Sequence, residues 1–239
     1  MKYRFLRHRF WAEESCDIRY LLSIDLKGKT VLDVGANIGI FSYWMSRTVG
    51  NTGHVYAFEA QPELETWLLD LKRTFKLTNL NIVNKALSDK AGKQTLYRSF
   101  VGAGGATFHY INNNELEIQV EKITLDDYIK LNGITDVAFI KCDVEGHELS
   151  VFEGARATLE KFLPYLLFEC HDECARSGEL FSFLKTIGFD GFFIIDDKLV
   201  HYSLYDKYPY SKPTRHHRNY VFGPAEKVSN ISGIISSSE

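Results

Sequence analysis

The segment 31–41, VLDVGANIGIF, constrains this chain more than any other. An apolar run ends in an acid, a glycine turn follows, and a helical pattern begins. So apolar a strand is covered on both faces, as in a parallel sheet with helices on each side. Gly35 and Gly39 let the backbone bend sharply beyond the strand's carboxyl end, where open parallel sheets hold their ligands. A second apolar run, HVYAFEA, carries Glu59 at its end.

The rest of the chain repeats this alternation. Strands are expected over 29–35, 54–59, 80–86, 136–143 and 164–170. Helices are expected over 40–47, 63–76, 148–161 and 178–186, with Pro62 suited to a first helical turn. Between 89 and 123 the pattern changes. Residues 94–100 and 117–123 alternate like strands around VGAGGATF, which reads as an antiparallel excursion and a flexible cover near a site. Thr124 and Asp127 form a capping pair for a short helix. Residues 192–196, 199–202 and 220–222 suggest closing strands, so the sheet is expected to be mostly parallel and doubly wound, with an antiparallel C-terminal end. A cap over 1–28 with a helix near 18–26, one domain over 29–226 and a frayed tail over 227–239 complete the division.

Composition narrows the class. The chain has 239 residues, 45% of them hydrophobic, which suffices for one α/β core. A net charge of −3 and the lack of a long basic run disfavour a nucleic-acid partner. No apolar stretch approaches the ~18 residues that span a bilayer. Nor does a signal-type apolar segment open the chain. The four cysteines, Cys16, Cys142, Cys170 and Cys174, show no framework spacing, so free thiols in a cytoplasmic protein are expected.

The strand-end residues suggest a nucleoside-bearing cofactor. Glu59 suits the two vicinal hydroxyls of a ribose. The Gly35-Ala36-Asn37-Ile38-Gly39 turn lacks the full dinucleotide fingerprint, and Asp33 would oppose a pyrophosphate while suiting the ammonium of a methionine moiety, directly or through water. Ala86, Leu87 and Ser88 sit where an adenine would be sandwiched. These details favour S-adenosylmethionine. A nicotinamide-dependent oxidoreductase and a non-catalytic binding protein on the same fold are the alternatives.

VLDVGANIGIF, VYAFEAQPE, NKALSDKAG, ITLDDYI, IKCDVEGHE and LLFECH, in this order, resemble the FkbM-type methyltransferases over residues 29–171. The resemblance implies a class I methyltransferase Rossmann-like fold and, usually, O-methylation. It places Asp33, Gly35, Asn37, Gly39 and Glu59 at the cofactor and Asp143 beside the methyl donor. The acceptor would be a hydroxyl of a sugar, glycan precursor or small secondary metabolite.

Transfer to a hydroxyl needs alignment and a general base. His147 is the leading base by its ordinary pKa. Asp143 and Glu145 would bind substrate, orient His147 or hold the cofactor amine; Glu148 reads as an exposed or capping helix residue. Glu169 and His171 end the next strand, with His171 a second base candidate. Mg²⁺ held by Asp143, Glu145 and Glu169 would be chemically sensible, but no metal site is assigned. Aromatic residues over 202–210, with Arg215, His216, His217 and Arg218, would stack on a sugar or cover the sheet edge.

Overall fold

The computed structural model describes residues 15–110, 114–195, 198–208 and 217–227. Most of the expected tail, the first half of the expected cap, and Tyr210, Arg215 and His216 lie outside them, as does the side chain of His217.

The chain enters through helix α1 (Ser15–Ser23), a few residues earlier than expected, and then winds a sheet. Strand β1 (Thr30–Val34) is buried throughout, and parallel partners flank it: β2 (His54–Phe58) on one side and β7 (Phe139–Cys142) on the other. β3 (Leu80–Val83) extends the sheet beyond β2, and β8 (Tyr165–His171) extends it beyond β7, again in parallel. β9 (Phe189–Ile195), β10 (Lys198–His201) and β11 (His217–Pro224) then add antiparallel pairs. The full order is β10-β9-β11-β8-β7-β1-β2-β3. The reversal between β1 and β7 makes the crevice at their carboxyl ends a switch point.

Alternating residues of the strands feed two apolar layers. On one face Val31, Val55 and Phe139 pack with α1, α2 (Ile40–Val49) and α3 (Pro62–Phe75) through Leu21, Met45 and Leu68. On the other, Leu32, Ile140 and Phe168 pack with α4 (Leu125–Leu131), α5 (Glu148–Glu153), α6 (Arg156–Phe162) and α8 (Glu179–Thr186) through Leu125, Phe152, Leu159 and Leu184. Thr124 caps α4 by accepting from the Asp127 amide at 3.0 Å, as its spacing predicts.

Three expectations change. The strand expected over 80–86 divides: Ala86–Leu87 (β4) leaves the main sheet and pairs with β6 (Leu116–Ile123). The long helix expected over 148–161 breaks at Gly154, where a side chain would lie 2.0 Å from the Ser88 carbonyl oxygen. A short helix, α7 (Asp172–Ser177), follows β8 unannounced. The antiparallel excursion is present: β5 (Gly92–Arg98) pairs with β6, so β4, β6 and β5 form a small second sheet over the crevice. Among the described residues, no helix is long and apolar enough to cross a membrane.

Candidate active site

The crevice at the switch point is a cavity of about 280 Å³, lined by the 34–38 turn, Phe58–Gln61, Ala86, Leu87, and Asp143–Glu145 among others. Its floor is the turn after β1. Gly35 has φ +74°, and a Cβ there would stand 1.8 Å from the Asp143 carbonyl oxygen, so the two strand ends meet at a distance only glycine allows. The amides of Gly35 and Ala36 both donate to the Phe58 carbonyl at 3.0 Å, which fastens the turn to β2.

Glu59, one residue past β2, is fixed by the backbone. Its Oε2 accepts from the Asn37 amide at 2.8 Å and its Oε1 from the Gln61 amide at 2.9 Å. Burial raises its pKa, and these two N–H donors act against the rise. Two lone-pair positions remain for a hydroxyl pair. The apolar part of the wall is Phe58, Ala86, Leu87, Leu96, Ala106 and Phe108.

The 100–108 loop covers the cavity and is tied down on both sides. Buried Gln61 donates to the Ala103 carbonyl at 2.9 Å and accepts from the Gly102 amide at 3.2 Å. Arg98, 3% exposed, reaches Gln61 at 3.2 Å and grips both oxygens of Glu63 at 2.8 Å. On the far side Thr107 donates to the Glu145 carbonyl at 2.9 Å.

The loop after β7 forms the opposite wall. Glu145 has φ +54° and Gly146 φ +93°, so the chain turns back on itself before α5. Glu148 fixes this turn from behind: its Oε1 accepts from the Val144 and Gly146 amides at 3.3 and 3.1 Å. Wholly buried, its carboxyl is pushed up to about 7 by desolvation. Glu145 extends to His171, with Oε2 3.2 Å from Nε2, and that contact raises His171 to about 8. Glu169 lies in the same group; burial, then the Asp143 and Glu145 charges, push it up to about 8.

The chain matches the Methyltransferase FkbM domain over residues 33–190. It belongs to the FkbM methyltransferase family. Hexuronic acid methyltransferase AglP of Haloferax volcanii is 27% identical to it over 154 residues, 64% of this chain and 61% of that protein. The chain thus spans about three fifths of the length of that relative. Among solved structures, methyltransferase FkbM from Methylobacillus flagellatus KT superposes with a TM-score of 0.53 at 17% identity, covering 83% of this chain and 44% of that one. Fibrillarin of Aeropyrum pernix, solved with natively bound S-adenosyl-L-methionine, gives 0.50 at 14% identity over 86% and 72% of the two chains. The fold is the class I methyltransferase Rossmann-like fold, a mixed sheet with an antiparallel end.

Against this FkbM-family frame, the sequence-derived site residues divide. Gly35, Ala36, Asn37, Glu59, Ala86, Leu87, Asp143, Glu145 and His147 line the cavity. Gly39 lies one residue beyond the lining part of the turn and starts α2. Asp33 does not line the cavity: it is wholly buried beneath it, accepts from Ser42 Oγ at 2.5 Å, and stands 3.8 Å from Lys141 Nζ. From there it supports the floor of the cavity. Ser88 is also wholly buried and away from the cavity, 2.9 Å from His147 Nε2 and from Asp89 Oδ1. His147 lines the cavity, but burial lowers it to about 4, its Nε2 lies 2.9 Å from Ser88 Oγ, and its ring abuts Phe108. Glu148, expected to be exposed or capping, is the buried brace described above. Glu169 and His171 meet Glu145 outside the main cavity's lining.

Lys141, Gln61 and Arg98 were missed. Lys141 bridges Asp143 (3.2 Å) and Asp33, donates to the Gly35 carbonyl at 3.2 Å, and lies over the Phe41 ring. A lysine within an otherwise apolar strand was the available signal. The aromatic C-terminal region covers the sheet: the Arg218 guanidinium stacks on Phe193 and Tyr205, and Tyr202 packs on Phe181 and Phe222.

Proposed function

We propose that this protein uses S-adenosylmethionine to methylate a hydroxyl of a sugar or glycan precursor. One observation carries the reading. A backbone-fixed acid, a glycine turn and an apolar slot meet in one cavity whose opposite wall carries Asp143 and Glu145 beside Lys141 and His147. The cavity's residues suit the cofactor: Glu59 offers open lone pairs for ribose hydroxyls, and Phe58, Leu87 and Phe108 offer apolar surface for a base. The hexuronic acid methyltransferase relative supports a sugar acceptor.

When bound, the cofactor supplies an electrophilic methyl group on a sulfonium. The chain's own residues orient and exclude water. Lys141 holds the Gly35 carbonyl and Asp143 in fixed relation, so the floor and the acidic wall keep their spacing. The 100–108 loop, held by Gln61 and Arg98, covers the cavity. An acceptor hydroxyl at the acidic wall would give its proton to Asp143 or Glu145 as the O–CH₃ bond forms and the C–S bond breaks.

The test is incubation with methyl-deuterated S-adenosylmethionine and a panel of neutral sugars, uronic acids and their nucleotide-linked forms, read by mass spectrometry. Label in an ether-linked methyl is the expected result. Label only in an ester, or none despite cofactor binding measured by calorimetry, overturns the hydroxyl-acceptor reading.

A further inference from the structure

Glu169 and His171 are two apart on β8 and therefore share one face of the strand. The turn after β7 brings Glu145 against them. Each of the three offers one ligand atom, and these atoms lie within 4.8 Å of one another. With ligand bonds of about 2.1 Å, donors on opposite sides of one ion stand about 4 Å apart, so small side-chain rotations suffice. All three side chains are partly exposed, which gives an ion a path from solvent.

We propose that Glu145, Glu169 and His171 bind a divalent transition-metal ion on the acceptor side of the cavity. The group differs from a mere acidic patch because an imidazole nitrogen completes it. That nitrogen also selects the ion. Two carboxylates alone would suit Mg²⁺; two carboxylates and an imidazole favour Mn²⁺, Co²⁺ or Zn²⁺. This set differs from the Asp143, Glu145 and Glu169 trio that would be chemically sensible for Mg²⁺, because it leaves out Asp143, which Lys141 already engages.

Charge supports the assignment. Glu169 is acted on by Asp143, Glu145, Lys141 and His171, and His171 by Glu145, Glu148 and Glu169. Asp143, Glu145 and Glu169 thus share this end of the sheet with Lys141 and His171. Three protein ligands leave coordination positions open. If the methyltransferase reading holds, those positions would receive the acceptor's hydroxyl and make it more acidic.

Mn²⁺ is the probe. Titration of the full chain with Mn²⁺ alone, followed by the loss of the free-ion electron paramagnetic resonance signal, should show one site. Pulsed spectra should show coupling to an imidazole nitrogen. His171→Gln should abolish that coupling and weaken Mn²⁺ at least tenfold, as should Glu169→Gln, with S-adenosylmethionine affinity within about twofold of the parent. Mg²⁺ should compete at least tenfold more weakly. A free-ion signal unchanged at millimolar Mn²⁺, or bound Mn²⁺ without nitrogen coupling in the unsubstituted protein, overturns the proposal whatever the variants do. Bound Mn²⁺ with nitrogen coupling but no methyl transfer keeps the metal site and removes only the function proposed above; transfer without Mn²⁺ binding does the reverse.

Discussion

The two walls of the cavity hold their acids by different means. On the cofactor side, Glu59 is held by two backbone amides, and the loop it organises is locked in turn by Gln61 and Arg98. On the acceptor side, Asp143, Glu145 and Glu169 are held mainly by side chains, Lys141 and His171. The first arrangement stabilises one charge with fixed dipoles and is preorganised. The second crowds like charges and leaves Glu169 protonated near neutrality. An acid fixed by backbone amides suits a ligand presented the same way in every cycle; acids fixed by other side chains suit a partner that varies.

The comparison can be broken at its junction. Gly35→Ala puts a methyl against the Asp143 carbonyl and forces a left-handed φ on an L residue. A loss of about 3–5 kcal/mol in urea unfolding is expected, large for one substitution, together with loss of cofactor binding. If Gly35→Ala keeps stability within experimental error, the two walls do not meet as described.

Glu59→Ala sharpens the cofactor side. It leaves the amides of Asn37 and Gln61 without their acceptor and removes the proposed ribose contact. Charged hydrogen bonds contribute about 1.5–3 kcal/mol, so S-adenosylmethionine affinity by calorimetry should fall about 10- to 100-fold. An unchanged dissociation constant would place the ribose elsewhere.

Glu169→Gln addresses the crowded wall through pH. The folded-state pKa is raised above the ordinary carboxylate value, so the folded chain holds a proton that the unfolded chain has lost. Stability therefore falls as pH rises from the ordinary carboxylate range to about 8 and then levels off. Glutamine removes this penalty. The variant should gain about 1–2 kcal/mol at pH 8 and almost nothing at pH 4.5 in chemical denaturation. A gain equal at both pH values would mean packing, not charge.

The smallest effect is at the loop tether. Arg98 holds Glu63 down at about 2, so their pairing contributes fully above the ordinary carboxylate range and is lost as pH falls toward 2. Glu63 is 40% exposed, which limits the contribution to about 0.5–1 kcal/mol. Glu63→Gln should lower the melting temperature slightly at pH 7 and not at pH 2; a larger fall at pH 2 would reverse the sign assigned here.

The alternation of apolar runs with helical periods made the parallel sheet legible, and the shift to two-residue alternation announced the antiparallel excursion. Gly154 was not legible as a helix break, because its constraint is the Ser88 carbonyl, in a distant part of the chain. The cluster on β8 was equally hidden: LLFECH marks the strand, yet nothing local predicts that His171 would meet Glu145.

Local periodicity and backbone freedom were enough to set the strands of the parallel sheet and most of the helices between them, the glycine turn and the acids at successive strand ends. Packing in three dimensions settled which of those acids face the ligand. Asp33 lies inside β1 in register with Lys141, so its side chain is enclosed by the sheet and its helices. Glu59 lies one residue beyond β2 and reaches the cavity. By register Asp33 lies opposite Ala57, two positions short of Glu59, so depth along the sheet, fixed by the pairing of neighbouring strands, separates a buried ion pair from a group that reaches the cavity.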